Sequence, residues 1–289
     1  MRGPIAAAIL VGLAVAGAPA QEPIVYKDYA FKKGDVTRTT RTDDTTRVTA
    51  FQAAGKEQKT VEKTVKTVIY RTEVLAVGAD PAKPGKLRRT YEKAVEVTDG
   101  AETKLPLHGR TVVIERAGET YSFLQADGTA LPEKAAAELD RSFNKAKLDA
   151  RDLFPKGGVK AGDTWDLTET FLKGIGTADN PLVFDTAAAK VTGKLLAATK
   201  TGGATVGDFR ITGDLPLTAV RGEQPVRLEP GGKNTFTMTG RGALDGSSPE
   251  NTLTATMKVR FAGTVMGLGL KMDHDAKQTE KTERVTGAK

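Results

Sequence analysis

Leu153-Phe154-Pro155-Lys156-Gly157-Gly158-Val159-Lys160-Ala161-Gly162-Asp163-Thr164-Trp165-Asp166-Leu167 is the stretch on which the fold turns. It carries the chain's one tryptophan and repeats, in outline, an earlier phrase. Lys32-Lys33-Gly34-Asp35-Val36-Thr37 returns as Lys160-Ala161-Gly162-Asp163-Thr164-Trp165. Each time a Gly-Asp turn hands the chain to a Thr-bearing extended run, with glycine free to adopt the backbone angles that a tight turn demands. The repetition predicts a mainly β protein. Two consecutive antiparallel β units, curved sheets or half-barrels, each open at such a turn, and Gly34, Asp35, Gly162, Asp163 and Trp165 are its structural residues. The first unit with its helix is set at 21–153 and the second at 154–289, or the two form one continuous domain.

Upstream of the central stretch, Leu139, Phe143, Ala146, Ala150 and Leu153 recur at three- and four-residue steps after Pro132, among Glu, Asp, Lys and Arg. That spacing predicts one amphipathic helix of about five turns lying across a sheet. Before it, Val36 to Phe51 and Glu57 to Val77 are long β-branched runs. The first is wet on both faces, and the second gains Val68, Tyr70 and Val74 on its even-numbered face. Leu87 to Thr98, Arg110 to Arg116 and Glu119 to Gln125 follow as a meander punctuated by Asp-Gly and Ala-Gly turns. Ile24 to Phe31 reads as a short leading strand.

Downstream, Thr164 to Leu172 alternates as a strand, with Trp165, Leu167 and Phe171 on one face. Those three are expected to pack on Leu139, Phe143 or Leu153. Val191 to Thr199 and Thr205 to Gly213 flank the turn Thr201-Gly202-Gly203, and Arg221 to Leu228 is a further short strand. Leu253, Ala255, Met257, Val259 and Phe261 make the cleanest one-sided strand, matched by Phe236, Met238 and Leu244. Leu268, Leu270 and Met272 begin a last one, which fades into a polar tail from Lys277.

The extreme N-terminus reads as a secretory signal. Arg2, the apolar run Ile5 to Ala18 and Ala18-Pro19-Ala20 predict cleavage after Ala20 and a secreted or periplasmic product with no transmembrane segment once the signal is removed. Zero cysteines exclude disulfides, thiolate metal sites and cysteine nucleophiles. The net charge of +7 is scattered among acidic and Thr neighbours, with no basic patch interleaved with aromatics, which argues against a nucleic-acid partner.

The combination resembles a family of exported bacterial proteins of unknown function, the DUF6263-like type. These begin with a Lys-Gly-Asp turn and a Thr-rich strand, here Lys33-Gly34-Asp35, and carry a central Phe-Pro…Val…Gly-Asp-x-Trp phrase, here Phe154-Pro155, Val159, Gly162-Asp163 and Trp165. The Ala-Gly-Ala-Pro-Ala-Gln-Glu ending of the signal is similar to those of planctomycete secreted proteins. The resemblance carries over no catalytic residue, ligand or cofactor. Relatives are often lipoproteins with a cysteine at the cleavage site, which this chain lacks.

Catalytic chemistry is thinly represented. The two histidines, His108 and His274, stand apart from Ser122, Ser142, Ser247 and Ser248, none of which lies in a nucleophile-elbow phrase. Asp273-His274-Asp275 has metal-ligand residue types, but alternation along a strand sends His274 to one face and both aspartates to the other. His108, beside Gly109, reads as surface. The glycine pairs 157–158, 202–203 and 231–232 lack the Lys-Ser/Thr of a phosphate loop. Asp163, Asp166 and Glu169 are carboxylates near one another in sequence, with Asp163 read as part of the turn. Three functions fit: an exported, non-catalytic protein binding a lipid, a polysaccharide or an envelope protein; a carboxylate-dependent hydrolase of envelope polymers; or a purely structural envelope component. No catalytic, metal or cofactor residue is assigned.

Overall fold

The computed structural model describes residues 22–53, 55–145, 148–175, 180–222 and 226–285; the signal sequence assigned to residues 1–20 lies outside them. Fourteen strands form one antiparallel sheet that curves without closing. The first six are β1 Val36–Ala53, β2 Lys56–Val77, β3 Pro84–Thr98, β4 Ala101–Lys104, β5 Thr111–Ala117 and β6 Thr120–Gln125. Helix α1, Glu133–Phe143, follows. Then come β7 Thr164–Asp166, helix α2 Thr168–Ile175, β8 Leu182–Phe184, β9 Lys190–Thr201, β10 Ala204–Val220 and β11 Arg227–Leu228. The chain ends through β12 Lys233–Ala243, β13 Asn251–Val265 and β14 Leu268–Arg284.

Across the sheet the order is β6-β5-β3-β2-β1-β14-β13-β12-β10-β9-β7. The chain therefore starts mid-sheet and meanders to one edge. It crosses over through α1, restarts at the opposite edge and meanders back until β14 lies beside β1. The seam between the two strand sets is the pairing from Thr37↔Arg284 to Gln52↔Gly269. The polar tail from Lys277 is thus a strand to Arg284, because backbone pairing with β1 needs no apolar side chain.

In an antiparallel ladder, residues directly opposite one another share a face. Ile211 opposes Met238, Met238 opposes Ala255, Ala255 opposes Gln278, Gln278 opposes Asp43 and Asp43 opposes Lys66. This row places the apolar clusters of both strand sets on the same face. At one end Ala135 and Leu139 of α1 pack on Val74, Leu87, Tyr91, Val112 and Ile114. At the other, Phe171, Leu172 and Ile175 of α2 pack on Val191, Ile211 and Leu215. Between them β1 and β14 turn charged residues to that face. Threonine pairs stitch the ladders, as in Thr39 with Thr282 at 3.1 Å and Thr192 with Thr212 at 3.0 Å.

The second strand set repeats a further device. Trp165 lies opposite Gly193, Phe236 opposite Gly213 and Phe209 opposite Gly240. In each pair a Cβ added to the glycine would overlap the ring. The bare glycine backbone is the seat of the aromatic side chain, a cross-strand arrangement that restores the packing that glycine forfeits in a strand.

Several local expectations are corrected. The helix stops at Phe143, because Asn144 leaves it to bond the backbone of Tyr121 on edge strand β6, accepting from its N at 2.7 Å and donating to its O at 3.0 Å. A short 3₁₀ turn at Ala150–Leu153 follows, and Ala146 lies outside the described residues. Thr164 to Leu172 is not one strand. The Asp166 carboxylate accepts from the Thr168 backbone N at 2.9 Å and hydroxyl at 2.6 Å, and this local competitor ends β7 and starts α2. Ile24 to Phe31 makes isolated bridges, Ile24 to Val159 and Lys27 to Asp245, in place of a strand. Of Arg221 to Leu228 only Arg227–Leu228 is a strand, with 223–225 outside the described residues.

Candidate functional site

The alternation that makes β2 one-sided places Lys66, Val68 and Tyr70 beneath α1. Their neighbours on β3, Arg89 and Tyr91, stand in the same row because Tyr70 pairs with Tyr91 and Thr72 with Arg89. Against this floor α1 presents Glu138, Arg141 and Phe143. Between helix and sheet remains a cleft of about 470 Å³, reached on its far side by Arg41 of β1 and Glu280 of β14. Its apolar lining is Val68, Tyr70, Tyr91, Leu107 and Phe143. That volume lies in the range of roughly 300–1,000 Å³ that holds a small organic ligand.

The charged side chains around the cleft are not equally satisfied. Lys66 bonds Glu138 at 2.8 Å, and Arg41 bonds Asp43 at 3.0 Å. The Arg89 guanidinium lies over the Tyr70 ring at 4.1 Å and the Phe143 ring at 5.1 Å, with its Nε donating to Thr72 Oγ1 at 3.1 Å. Arg141 donates to its own helix, to the Ala137 carbonyl at 3.4 Å. Among the described residues neither Arg89 nor Arg141 has a carboxylate within ion-pair distance. Burial pushes the Tyr91 hydroxyl above its ordinary range, with Arg89 opposing the shift, so this phenol is uncharged at neutral pH.

The two Gly-Asp turns share one geometry. Asp35 Oδ2 accepts from Lys32 N at 2.8 Å and Asp163 Oδ2 from Lys160 N at 2.8 Å. In return the Asp35 and Asp163 amides donate to the Lys32 and Lys160 carbonyls, both at 3.0 Å. Gly34 and Gly162 take φ of +88° and +95°. Trp165 is half-buried, its Nε1 donating to the Leu153 carbonyl at 3.0 Å and its ring 5.8 Å from Phe154. Leu139 and Phe143 belong to the separate cluster under α1. Gly34, Asp35, Gly162, Asp163 and Trp165 lie outside the lining of the cleft.

His274 shares its face with Met272 and Arg47, while Asp273 and Asp275 on the other face pair with Arg260 at 2.8 and 3.4 Å. No group of three or more metal-ligating residues occurs among the described residues. His108 is not plain surface; its Nδ1 stands 3.2 Å from the Ala94 backbone and ties the Leu107 loop to β3. Ser142 borders the cleft, and the Ser122, Ser247 and Ser248 hydroxyls serve local backbone or turn bonds. Asp163 holds its turn, Asp166 starts α2, and Glu169 pairs with Lys173 at 2.6 Å. The carboxylates that the fold does gather, Asp28, Asp80 and Asp149, surround Arg151 at 3.0, 4.0 and 2.8 Å, away from the cleft.

Sequence reasoning missed Arg89, Arg141, Lys66 and Tyr91. Their only signal was the shared even-numbered parity of Lys66, Val68 and Tyr70 in β2, which acquires meaning only when α1 and β3 are laid beside it.

No family model and no curated protein matches the chain. Among solved structures, a lipovitellin studied for its lipid–protein interactions aligns at 10% identity and a TM-score of 0.38, over 90% of this chain and 26% of that one. An outer membrane channel from Pseudomonas putida F1 aligns at 9% identity and a TM-score of 0.20, over 88% and 97% of the two chains. Pseudomonas aeruginosa OpdQ gives 9%, 0.25, 86% and 97%. The chain thus spans about a quarter of the lipovitellin. These likenesses fall below the level of a shared fold, and no functional argument rests on them. No described helix is long and apolar enough to cross a membrane.

Proposed function

We propose that this is an exported, non-catalytic binding protein whose ligand is a single small amphiphile, a lipid or lipid-like molecule, held between α1 and the sheet. One observation carries the reading. The cleft of about 470 Å³ sets Val68, Tyr70, Tyr91, Leu107 and Phe143 beside charged groups from both walls, Lys66 and Arg89 of the sheet and Glu138 and Arg141 of α1, a pairing of apolar surface with convergent polar groups that a ligand site uses. Its size favours one small molecule over a polysaccharide chain. The gathered carboxylates around Arg151 are engaged by that cation, which weakens the hydrolase alternative.

Native mass spectrometry of the protein purified from its own cells tests this. The expected result is an added mass that survives gentle desolvation, dissociates on denaturation and behaves as a lipid on extraction. Val68→Trp, which fills the cleft from β2, should abolish it while leaving the β-type circular dichroism unchanged. An oligosaccharide adduct, or a lipid adduct that persists in folded Val68→Trp, would place the ligand elsewhere or change its class.

A further inference from the structure

We infer that the ligand of this cleft bears an anionic head, a carboxylate or a phosphate, that pairs with Arg89 and Arg141; the inference rests on the cleft being the binding site. Of the four cations bordering the cavity, Lys66 and Arg41 are neutralised by Glu138 and Asp43 at 2.8 and 3.0 Å. Arg89 and Arg141 are the two left over. Glu280, the remaining acid of the lining, lies within ion-pair distance of neither. The cavity lining, counted over its own residues, therefore holds more positive than negative charge.

Arg89 is the more telling of the two. It projects from β3 on the covered face of the sheet and is part-buried, where an uncompensated charge is costly. Its guanidinium lies over the Tyr70 and Phe143 rings, and its Nε is committed to Thr72. Ring stacking uses the faces of the guanidinium, so the terminal N–H groups that the neighbouring Tyr91 hydroxyl does not take remain in its plane for a planar or tetrahedral anion. Arg141, one turn of α1 away from Glu138, reaches the same cavity from the opposite wall. An anionic head between the two arginines supplies the missing countercharge, and the apolar part of the molecule meets Val68, Leu107 and Tyr91. An uncharged amphiphile would leave both arginines unpaired.

The test measures binding of 11-(dansylamino)undecanoic acid and its methyl ester to the intact protein at pH 7, by dansyl fluorescence, with inorganic phosphate as competitor. The acid should bind about tenfold or more tightly than the ester, as expected for a charge-assisted bond. Arg89→Met should bring the acid down to the level of the ester measured in the same variant. Arg141→Gln, at an exposed residue of α1 that borders the cavity, gives the same test without touching the sheet. Equal affinities for acid and ester, indifferent to both substitutions but lost in Val68→Trp, would overturn the anionic head and leave the cleft standing. Binding of neither probe would overturn both readings. Phosphate alone binding as tightly as the acid would keep the anion site but identify a free anion, in place of an amphiphile, as its ligand.

Discussion

Trp165 and Gly193 offer the sharpest test of the packing. The indole rests on the bare Gly193 backbone directly opposite it, its Nε1 bonded to Leu153 O at 3.0 Å. Removing a buried aromatic ring costs about 3–5 kcal/mol. Because Trp165 is only half-buried, Trp165→Ala should cost about 3 kcal/mol, of which the lost hydrogen bond contributes about 1 kcal/mol. Gly193→Ala adds a methyl where the ring sits and should cost about 1–3 kcal/mol by overpacking. In the Trp165→Ala background that clash disappears. There Gly193→Ala should instead stabilise by about 0.5–1 kcal/mol, since alanine loses less backbone freedom than glycine in a strand. The double-mutant cycle therefore predicts a coupling of about 1.5–4 kcal/mol, well beyond the roughly 0.5 kcal/mol within which independent sites add. Urea unfolding followed by far-ultraviolet circular dichroism measures it, and in Gly193→Ala alone the tryptophan emission should also shift to the red. Additive effects with unshifted emission would refute the seating of the ring on the glycine.

The remaining expectations concern a turn, an edge and a proton. Gly162 has φ of +95° and open space around its missing Cβ, so Gly162→Ala should cost about 1–2 kcal/mol of backbone strain alone, whereas Gly157→Ala, also in open space but without a positive φ, should be close to neutral in thermal melts. Asn144 satisfies both backbone groups of Tyr121 on edge strand β6; Asn144→Ala should bare that edge and raise aggregation in light scattering at unchanged native circular dichroism. Burial and the neighbouring Arg47 hold the His274 pKa below its ordinary 6.5, against a smaller opposing pull from Asp275. The unfolded chain then binds the proton more readily than the folded one, so this contribution is present above pH 6.5 and lost as pH falls through the window below it. His274→Gln should flatten stability between pH 7 and pH 5 in urea titrations, and an unchanged slope would remove His274 from the account.

The sequence by itself determined what is written within a few residues. Alternation along Leu253 to Phe261 marked a strand with one dry face, and Gly-Asp and Asp-Gly pairs marked turns. Val36 to Phe51 and Glu57 to Val77 fell close to the observed β1 and β2, because β-branched content and turn chemistry act locally. Local competition was already harder to read. Asp166 bonding Thr168 converted an alternating run into a strand stub and a helix, and Asn144 cut α1 short in order to seal an edge. What only the tertiary structure decided depends on register between distant segments. The polar stretch after Lys277 is a strand because β1, from the opposite end of the chain, supplies its backbone partners. The cleft exists because β2, β3, α1 and the β1–β14 seam bring Lys66, Arg89, Arg141, Arg41 and Glu280 to one place. A period of two tells which residues of a strand share a face, but it does not tell which strand lies alongside, nor what covers that face; those follow from pairing and packing over the whole sheet.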